Sequence, residues 1–259
     1  ERINRILESK EKFNLKEMLE LQVDYYSIPS EKIIALSSGL ISNNIEYFSM
    51  LEKWDKKLSK SSVEAGIYIE WQSQLINEMN KKFIPEIAKE YLSMQLFTVI
   101  DKISKMNIDE RKELLNKTFN SSIDKLKEKF GDRSDNWVYG QKDFKHVKIY
   151  HPLEKVVNDS IKEIIALKLY PRGGDGYTPG STSNSLNQES GGSFRVIIDT
   201  GNWDNSFATN SPGQSGDPNS EFYDNLYEDW ANDVYFPLLF SKSKILLNLS
   251  KRTVFRPKN

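Results

Sequence analysis

The sequence contains no cysteine. That excludes disulfides, a thiolate nucleophile and Cys-ligated zinc within the chain, although it leaves the compartment open, since many extracytoplasmic proteins lack disulfides. Histidine is almost absent too, with two residues. No apolar run approaches the roughly 20 residues that cross a bilayer, so a membrane span is not expected, and the first residues are not expected to be a secretory leader. No charge of one sign dominates. Lys and Arg total 36 against 37 Asp and Glu, for a formal charge of -1, and this balance gives no electrostatic case for nucleic acid. What is present is a folding composition: 12 Tyr, 13 Phe and 5 Trp in 259 residues, enough to bury a core.

Residues 1–135 read as helices. The opening ERINRILESKEKF has helical spacing at Ile3, Ile6 and Leu7 but no cap, as at a cut end. Asn14 followed by Glu17 has the capping-box pattern, opening a helix towards Tyr25. Ser27 and Pro29 start another, closed by Gly39. Ile45, Phe48, Leu51 and Trp54 form an apolar stripe, with Trp54 read as core. A long amphipathic stretch from Ser62 carries Ile67, Trp71, Leu75, Met79 and Phe83 and breaks at Pro85. Asp109 is expected to cap a helix through Phe119, and Ser122–Phe130 to form the next, ended by Gly131. The heptad fragments are short and interrupted, so packed globular helices are expected rather than a coiled coil.

Residues 136–259 read as mixed. His146 to Tyr150 alternates as a strand, Glu154–Ala166 is helical or irregular, and Pro171–Gly192 is a polar connection. The stretch Gly191–Tyr223, GGSFRVIIDTGNWDNSFATNSPGQSGDPNSEFY, organises this half. Phe194–Asp199 reads as a strand and leads into a long loop of Asn, Ser, Gly, Gln and Asp, a usual setting for a site. A helix is expected at Asn225–Asn232, and a helix or strand at Lys244–Leu249.

A self-contained hydrolase needs a nucleophile, a base and oxyanion donors. No serine stands in a G-x-S-x-G elbow, and Ser215 in Gly213-Gln214-Ser215-Gly216 is read as tying its own loop. His146 and His151 face opposite sides if their segment is extended and make a poor metal pair, so each is expected to bond to backbone. Asp175, Asp204 and Asp217 lack calcium-loop spacing, and Asx-turns account for all three; no metal site is expected. Asp199 ends an apolar strand, where an inward carboxylate needs a partner. Arg195 is not read as that partner, and the competing role is a strand-end Asp capping the next turn.

Several motifs together resemble the C-terminal region of the penicillin acylase family of N-terminal-nucleophile amidohydrolases: GGDGYT at Gly173–Thr178, SFRVIIDTGNWDNS at Ser193–Ser206, and NSPGQSGDP at Asn210–Pro218. YGQ at Tyr139–Gln141, KHVKIYHPL at Lys145–Leu153, and the ending FPLLFSKSKI with a terminal RP are similar as well. The motif residues that carry the resemblance include Gly173, Gly174, Asp175, Trp203, Asp204, Asn210, Pro212, Gly213, Gln214 and Ser215. Two departures stand out: Asn202 where GDWD-type sequences have Asp, and Glu221-Phe222 before Tyr223 where Pro-His is frequent.

The resemblance implies an α+β fold, with a helical region at 1–135 walling the substrate cleft. A mixed region at 136–259 would then supply strands completing an αββα N-terminal-nucleophile hydrolase sheet system. It implies autoprocessing of a precursor and attack on a linear amide by a new N-terminal hydroxyl or thiol residue. The α-amine of that residue is the base, with an intrinsic pKa of about 8 suited to the task. The nucleophile, the oxyanion Asn and the calcium ligands of the family belong upstream of the matched region. No cofactor is therefore expected in this chain, and its partners would be the remainder of the precursor and an N-acyl substrate such as a penicillin or an acyl-homoserine lactone. By the same resemblance Asp199 orients a catalytic group supplied elsewhere, and the location is periplasmic or secreted. The alternatives are a non-catalytic binding or scaffold module keeping this fold, and a glycan-binding surface built on Trp203 and the Asn-rich loop.

Overall fold

The computed structural model describes residues 1–141, 144, 146–180 and 187–257. Lys145 of the KHVKIYHPL motif and residues 181–186 of the polar connection lie outside them. The chain forms two compact units. One comprises Glu1–Glu11 and Val23–Gly191, the other Lys12–Gln22 and Gly192–Asn259.

The first unit is mostly helical: α1 (Arg2–Leu7), α3 (Ile28–Ser37), α4 (Ile45–Lys53), α5 (Val63–Phe83), α6 (Leu96–Ser104), α7 (Ile108–Phe130) and α8 (Asp159–Ile165). Its core forms where α5 and α7 lie against each other. Trp71 and Phe119 meet edge-to-face at 5.0 Å, with Phe48 of α4 at 5.6 Å from Phe119. Trp71 Nε1 donates to Thr118 Oγ1 at 3.1 Å, so the buried indole keeps a partner.

Starts are set by caps: the Ser27, Ser62, Asn107 and Asn158 side chains accept N–H groups from the first turns of α3, α5, α7 and α8. Pro85 ends α5 as expected, because the residue before a proline is driven to extended backbone; Ile84 has φ -104° and ψ 122°. Trp54 is core, 5.8 Å from the Tyr68 ring. Two expectations are corrected. Asn107, and not Asp109, caps α7, and the two expected helices are one of 23 residues, in which Ser122 is buried and donates to the Phe119 carbonyl. A Ser bonded back to its own helix does not interrupt it. The expected strand His146–Tyr150 shortens to β1 (His146–Val147), antiparallel to β2 (Tyr170–Pro171).

The second unit holds α2 (Leu15–Gln22), a three-stranded antiparallel sheet, α9 (Tyr227–Ala231) and α10 (Lys242–Leu247). The sheet order is β3 (Arg195–Ile197), β4 (Phe207–Thr209), β5 (Phe236–Pro237), with Val196 opposite Ala208 and Ala208 opposite Phe236. The capping box at α2 is reciprocal: Asn14 N–H donates to Glu17 Oε2 at 2.9 Å, and Glu17 N–H to Asn14 Oδ1 at 3.0 Å. The helix stops at Gln22, short of Tyr25. A helical first half followed by small antiparallel sheets makes the fold α+β.

Candidate functional site

The strand-loop-strand of the second unit gathers the residues with the most chemistry. β3 ends at Ile197, and two residues later the Asp199 carboxylate turns the chain. Oδ1 accepts the N–H of Gly201 at 2.9 Å and of Asn202 at 3.1 Å, and Oδ2 accepts Asn205 Nδ2 at 3.3 Å. The Asp199 N–H donates to the buried Ser206 Oγ at 3.1 Å. The Asn202 and Gly201 N–H groups, then the Asn205 amide, hold the Asp199 carboxyl below the usual carboxylate range. It is therefore a fixed anion rather than a proton donor near neutral pH. These partners come from the following turn, so the carboxylate is not buried inward; Asp199 is only partly covered. Beside it runs an open cleft of about 820 Å³, lined on one side by Phe13, Leu15, Lys16 and Met18 and on the other by Val196 to Thr200.

Arg195 serves a different purpose. It is buried, with Nη1 on Asp233 Oδ1 and Nη2 on the Trp230 carbonyl, both at 2.7 Å. Its guanidinium also lies 5.4 Å from the Trp230 and Tyr235 rings. The reading that Arg195 does not pair with Asp199 agrees with this arrangement.

Asp204 corrects an expectation. It makes no Asx-turn; Oδ1 instead accepts the N–H of Phe240 at 2.8 Å and of Ser241 at 2.9 Å, 36 and 37 residues away. The Ser241 and Phe240 N–H groups lower its carboxyl as well. Trp203, in the 3-10 turn Trp203–Asn205, is exposed, its ring 5.2 Å from Phe240.

The loop Asn210–Pro218 is tied to the chain that follows it. The N–H groups of Gln214 and Ser215 both donate to the Phe222 carbonyl, at 2.8 and 3.0 Å, and Leu226 N–H donates to the Pro212 carbonyl at 3.0 Å. A Cβ at Gly213 would stand 2.2 Å from the Phe222 carbonyl oxygen, so only glycine permits this approach. Ser215 Oγ accepts the Asp217 N–H at 3.1 Å, as expected of a loop tie, and Asp217 forms its Asx-turn with the Asn219 N–H at 2.9 Å.

Gly173, Gly174 and Asp175 belong to the first unit and not to this loop cluster. Gly174 donates its N–H to the Leu58 carbonyl at 2.8 Å and accepts the Tyr139 hydroxyl at 2.7 Å. Asp175 Oδ1 accepts the Tyr177 N–H at 2.8 Å, the expected Asx-turn. Burial, and then the Asp175 charge, raise the Tyr68 and Tyr139 phenols well above their ordinary range. His151 Nδ1 accepts the Leu153 N–H at 3.1 Å, the backbone bond foreseen for it. Among the described residues no group of three or more His, Cys, Asp or Glu could hold a metal ion.

Reasoning from the sequence missed Gln22, Ser206, Asp233 and Tyr235. Gln22 Nε2 donates to the Val196 carbonyl and Tyr235 Oη donates to Gln22 Oε1. No local pattern signals partners so far apart in the chain.

A helical half followed by short antiparallel strands is consistent with a penicillin-acylase-like fold. The structure is similar to that of a thermostable penicillin G acylase from Alcaligenes faecalis, with a TM-score of 0.58 at 14% identity, covering 100% of this chain and 52% of that one. This chain thus spans about half the length of that enzyme chain. The penicillin amidase family model matches residues 1–246, and the chain belongs to that family. No curated protein matches it.

Proposed function

We propose that this chain is the C-terminal portion of a penicillin-acylase-like amidohydrolase acting on N-acyl amides such as penicillins or acyl-homoserine lactones. The observation that carries the reading is the family match over residues 1–246 in a chain spanning about half of a solved acylase. On this reading β3, β4 and β5 complete the αββα sheets of the parent, and the helical region walls the cleft. The rest of the precursor brings the N-terminal nucleophile, its α-amine base, the oxyanion Asn and the calcium ligands. Among the described residues no group of three or more His, Cys, Asp or Glu could hold a metal ion, and on this reading the calcium ligands are residues of that remainder.

Asp199 acts as a positioning residue. Three donors fix its carboxylate, which leaves it able to orient a polar group of the catalytic centre without exchanging a proton. The parent is periplasmic or secreted.

The test starts with the natively produced protein: intact mass and N-terminal sequencing of every chain, then hydrolysis of N-acyl amides. A companion chain beginning with Ser, Thr or Cys, an active assembly, and inactivity of this chain alone are the expected results. A product without a companion chain and without amidase activity sinks the proposal and favours a binding or scaffold module.

A further inference from the structure

The last residues of the sequence are both apolar and basic. No Asp or Glu follows Asp233, whereas Lys242, Lys244, Lys251, Arg252 and Arg256 bring positive charge. Between them stand exposed large apolar side chains: Phe240 at 65% exposure, Leu247 at 82% and Phe255 at 92%, together with Ile245, Leu246, Leu249 and Val254. The exposed Trp203 ring lies against Phe240 and widens the patch.

The start of this segment is firmly held. Asp204 accepts the N–H groups of Phe240 and Ser241, and Ser241 Oγ accepts the Lys244 N–H at 3.4 Å. Beyond that anchor the large apolar side chains are exposed. The family match stops at residue 246, so the most exposed part, from Leu247 on, is outside it.

The pattern points to one kind of surface. Apolar residues at 245, 246 and 247 in succession, turning about 100° each, spread over more than half the helix circumference. A protein groove is met by a narrower stripe spaced three and four residues apart. A fluid acyl boundary accepts a broad, irregular apolar face, while lysine and arginine reach headgroup phosphates. The cations also flank the apolar run on both sides, as headgroup contacts require. No helix among the described residues is long and apolar enough to cross a membrane, so any attachment through this segment lies along the surface.

We propose that residues 240–257 are a peripheral docking segment for a bilayer surface rich in anionic lipid.

The full-length protein, as produced natively, is tested for co-sedimentation with vesicles of phosphatidylcholine alone and of phosphatidylcholine mixed with phosphatidylglycerol. Binding to the mixed vesicles only, weakened by salt, is expected. Lys251→Gln combined with Arg252→Gln lowers partitioning roughly thirtyfold. Leu247→Glu with Phe255→Glu abolishes it, and because both sites are exposed, circular dichroism should be unchanged. A Phe255→Trp chain should show a blue-shifted emission on adding the mixed vesicles. Failure to bind them, equal binding to both vesicle types, or undiminished binding of the Leu247→Glu, Phe255→Glu chain overturns the proposal. An emission shift of the Phe255→Trp chain that answers to a co-purifying acidic polypeptide and not to vesicles overturns it in favour of a protein partner. None of these outcomes touches the amidohydrolase reading, which rests on the family match over residues 1–246 and is tested by amide hydrolysis rather than by vesicle binding.

Discussion

Gln22 Nε2 donates to the carbonyl of Val196 at 2.9 Å, joining residues 174 positions apart. The last residue of α2 thereby meets the backbone of β3 with a side-chain amide. Tyr235 Oη donates to Gln22 Oε1 at 3.0 Å and fixes which way the amide points. Gln22→Met keeps the length and removes both bonds, leaving a half-buried carbonyl and a phenol to find water. A loss of about 1–2 kcal/mol in urea unfolding, with the m-value unchanged, is the expected result. A shift under about 0.5 kcal/mol would show that the bond contributes little.

Arg195→Met strips the guanidinium from Asp233 and from the Trp230 carbonyl while keeping the aliphatic stem. Removing one member of a buried pair costs about 3 kcal/mol, because the other charge stays behind. Arg195→Lys should recover only part of it, since an ammonium does not reproduce the planar fork that serves both acceptors. Thermal unfolding of the three proteins orders them arginine, lysine, methionine; equal midpoints for Lys and Arg would contradict the bidentate account.

Two glycines of one loop give an internally controlled pair. A Cβ on Gly213 meets the Phe222 and Tyr223 carbonyl oxygens at 2.2 and 2.4 Å, whereas one on Gly216 meets nothing within 4 Å. Gly213→Ala should destabilise by about 1–3 kcal/mol, as forced overpacking against backbone does. Gly216→Ala should stay within about 0.5 kcal/mol of the parent chain. Similar denaturation midpoints for the two variants would refute the close approach.

The Asp199 carboxyl is held below the ordinary range, first by the Asn202 N–H, then by Gly201 and Asn205. A folded pKa below the unfolded one stabilises the fold above the unfolded carboxylate value, about 3.9, and this contribution disappears as pH falls through the folded value. Carboxyl-carbon NMR should find Asp199 still ionised where most aspartates have protonated, and Asp199→Asn should flatten the acid limb of the stability profile. Titration at the ordinary value would remove the three-donor picture. In an assembled parent, Asp199→Asn should lower kcat more than it changes KM if the carboxylate orients the catalytic centre.

How much was legible in the sequence depended on the reach of each interaction. The Asn14–Glu17 box was readable because both partners lie within one turn, and Pro85 and Gly131 (φ 82°) are local stops. The helix α6 carries Leu96, Val99, Ile100 and Ile103 at helical spacing, a signal present in the sequence and passed over. β4 and β5 are short runs whose pairing with residues far along the chain no local periodicity reveals. At the candidate site, the turn-capping role of Asp199 was one of the two readings available, since its donors follow within six residues. The role of Asp204 was misread because its donors lie 36 and 37 residues further on.

The second compact unit is not a continuous length of chain. Lys12–Gln22 belongs to it, and the rest begins at Gly192. A ribosome releases the first piece long before the second exists, so α2 waits without its sheet while the intervening helices are made. Closing so long an excursion costs entropy that grows only with the logarithm of its length, but the contacts that repay it are non-local and slow to form. Residues 192–259 expressed alone would begin without the helix that meets β3. A permuted chain that places residues 12–22 directly before Gly192 would shorten the search, making the order of synthesis itself a variable of folding.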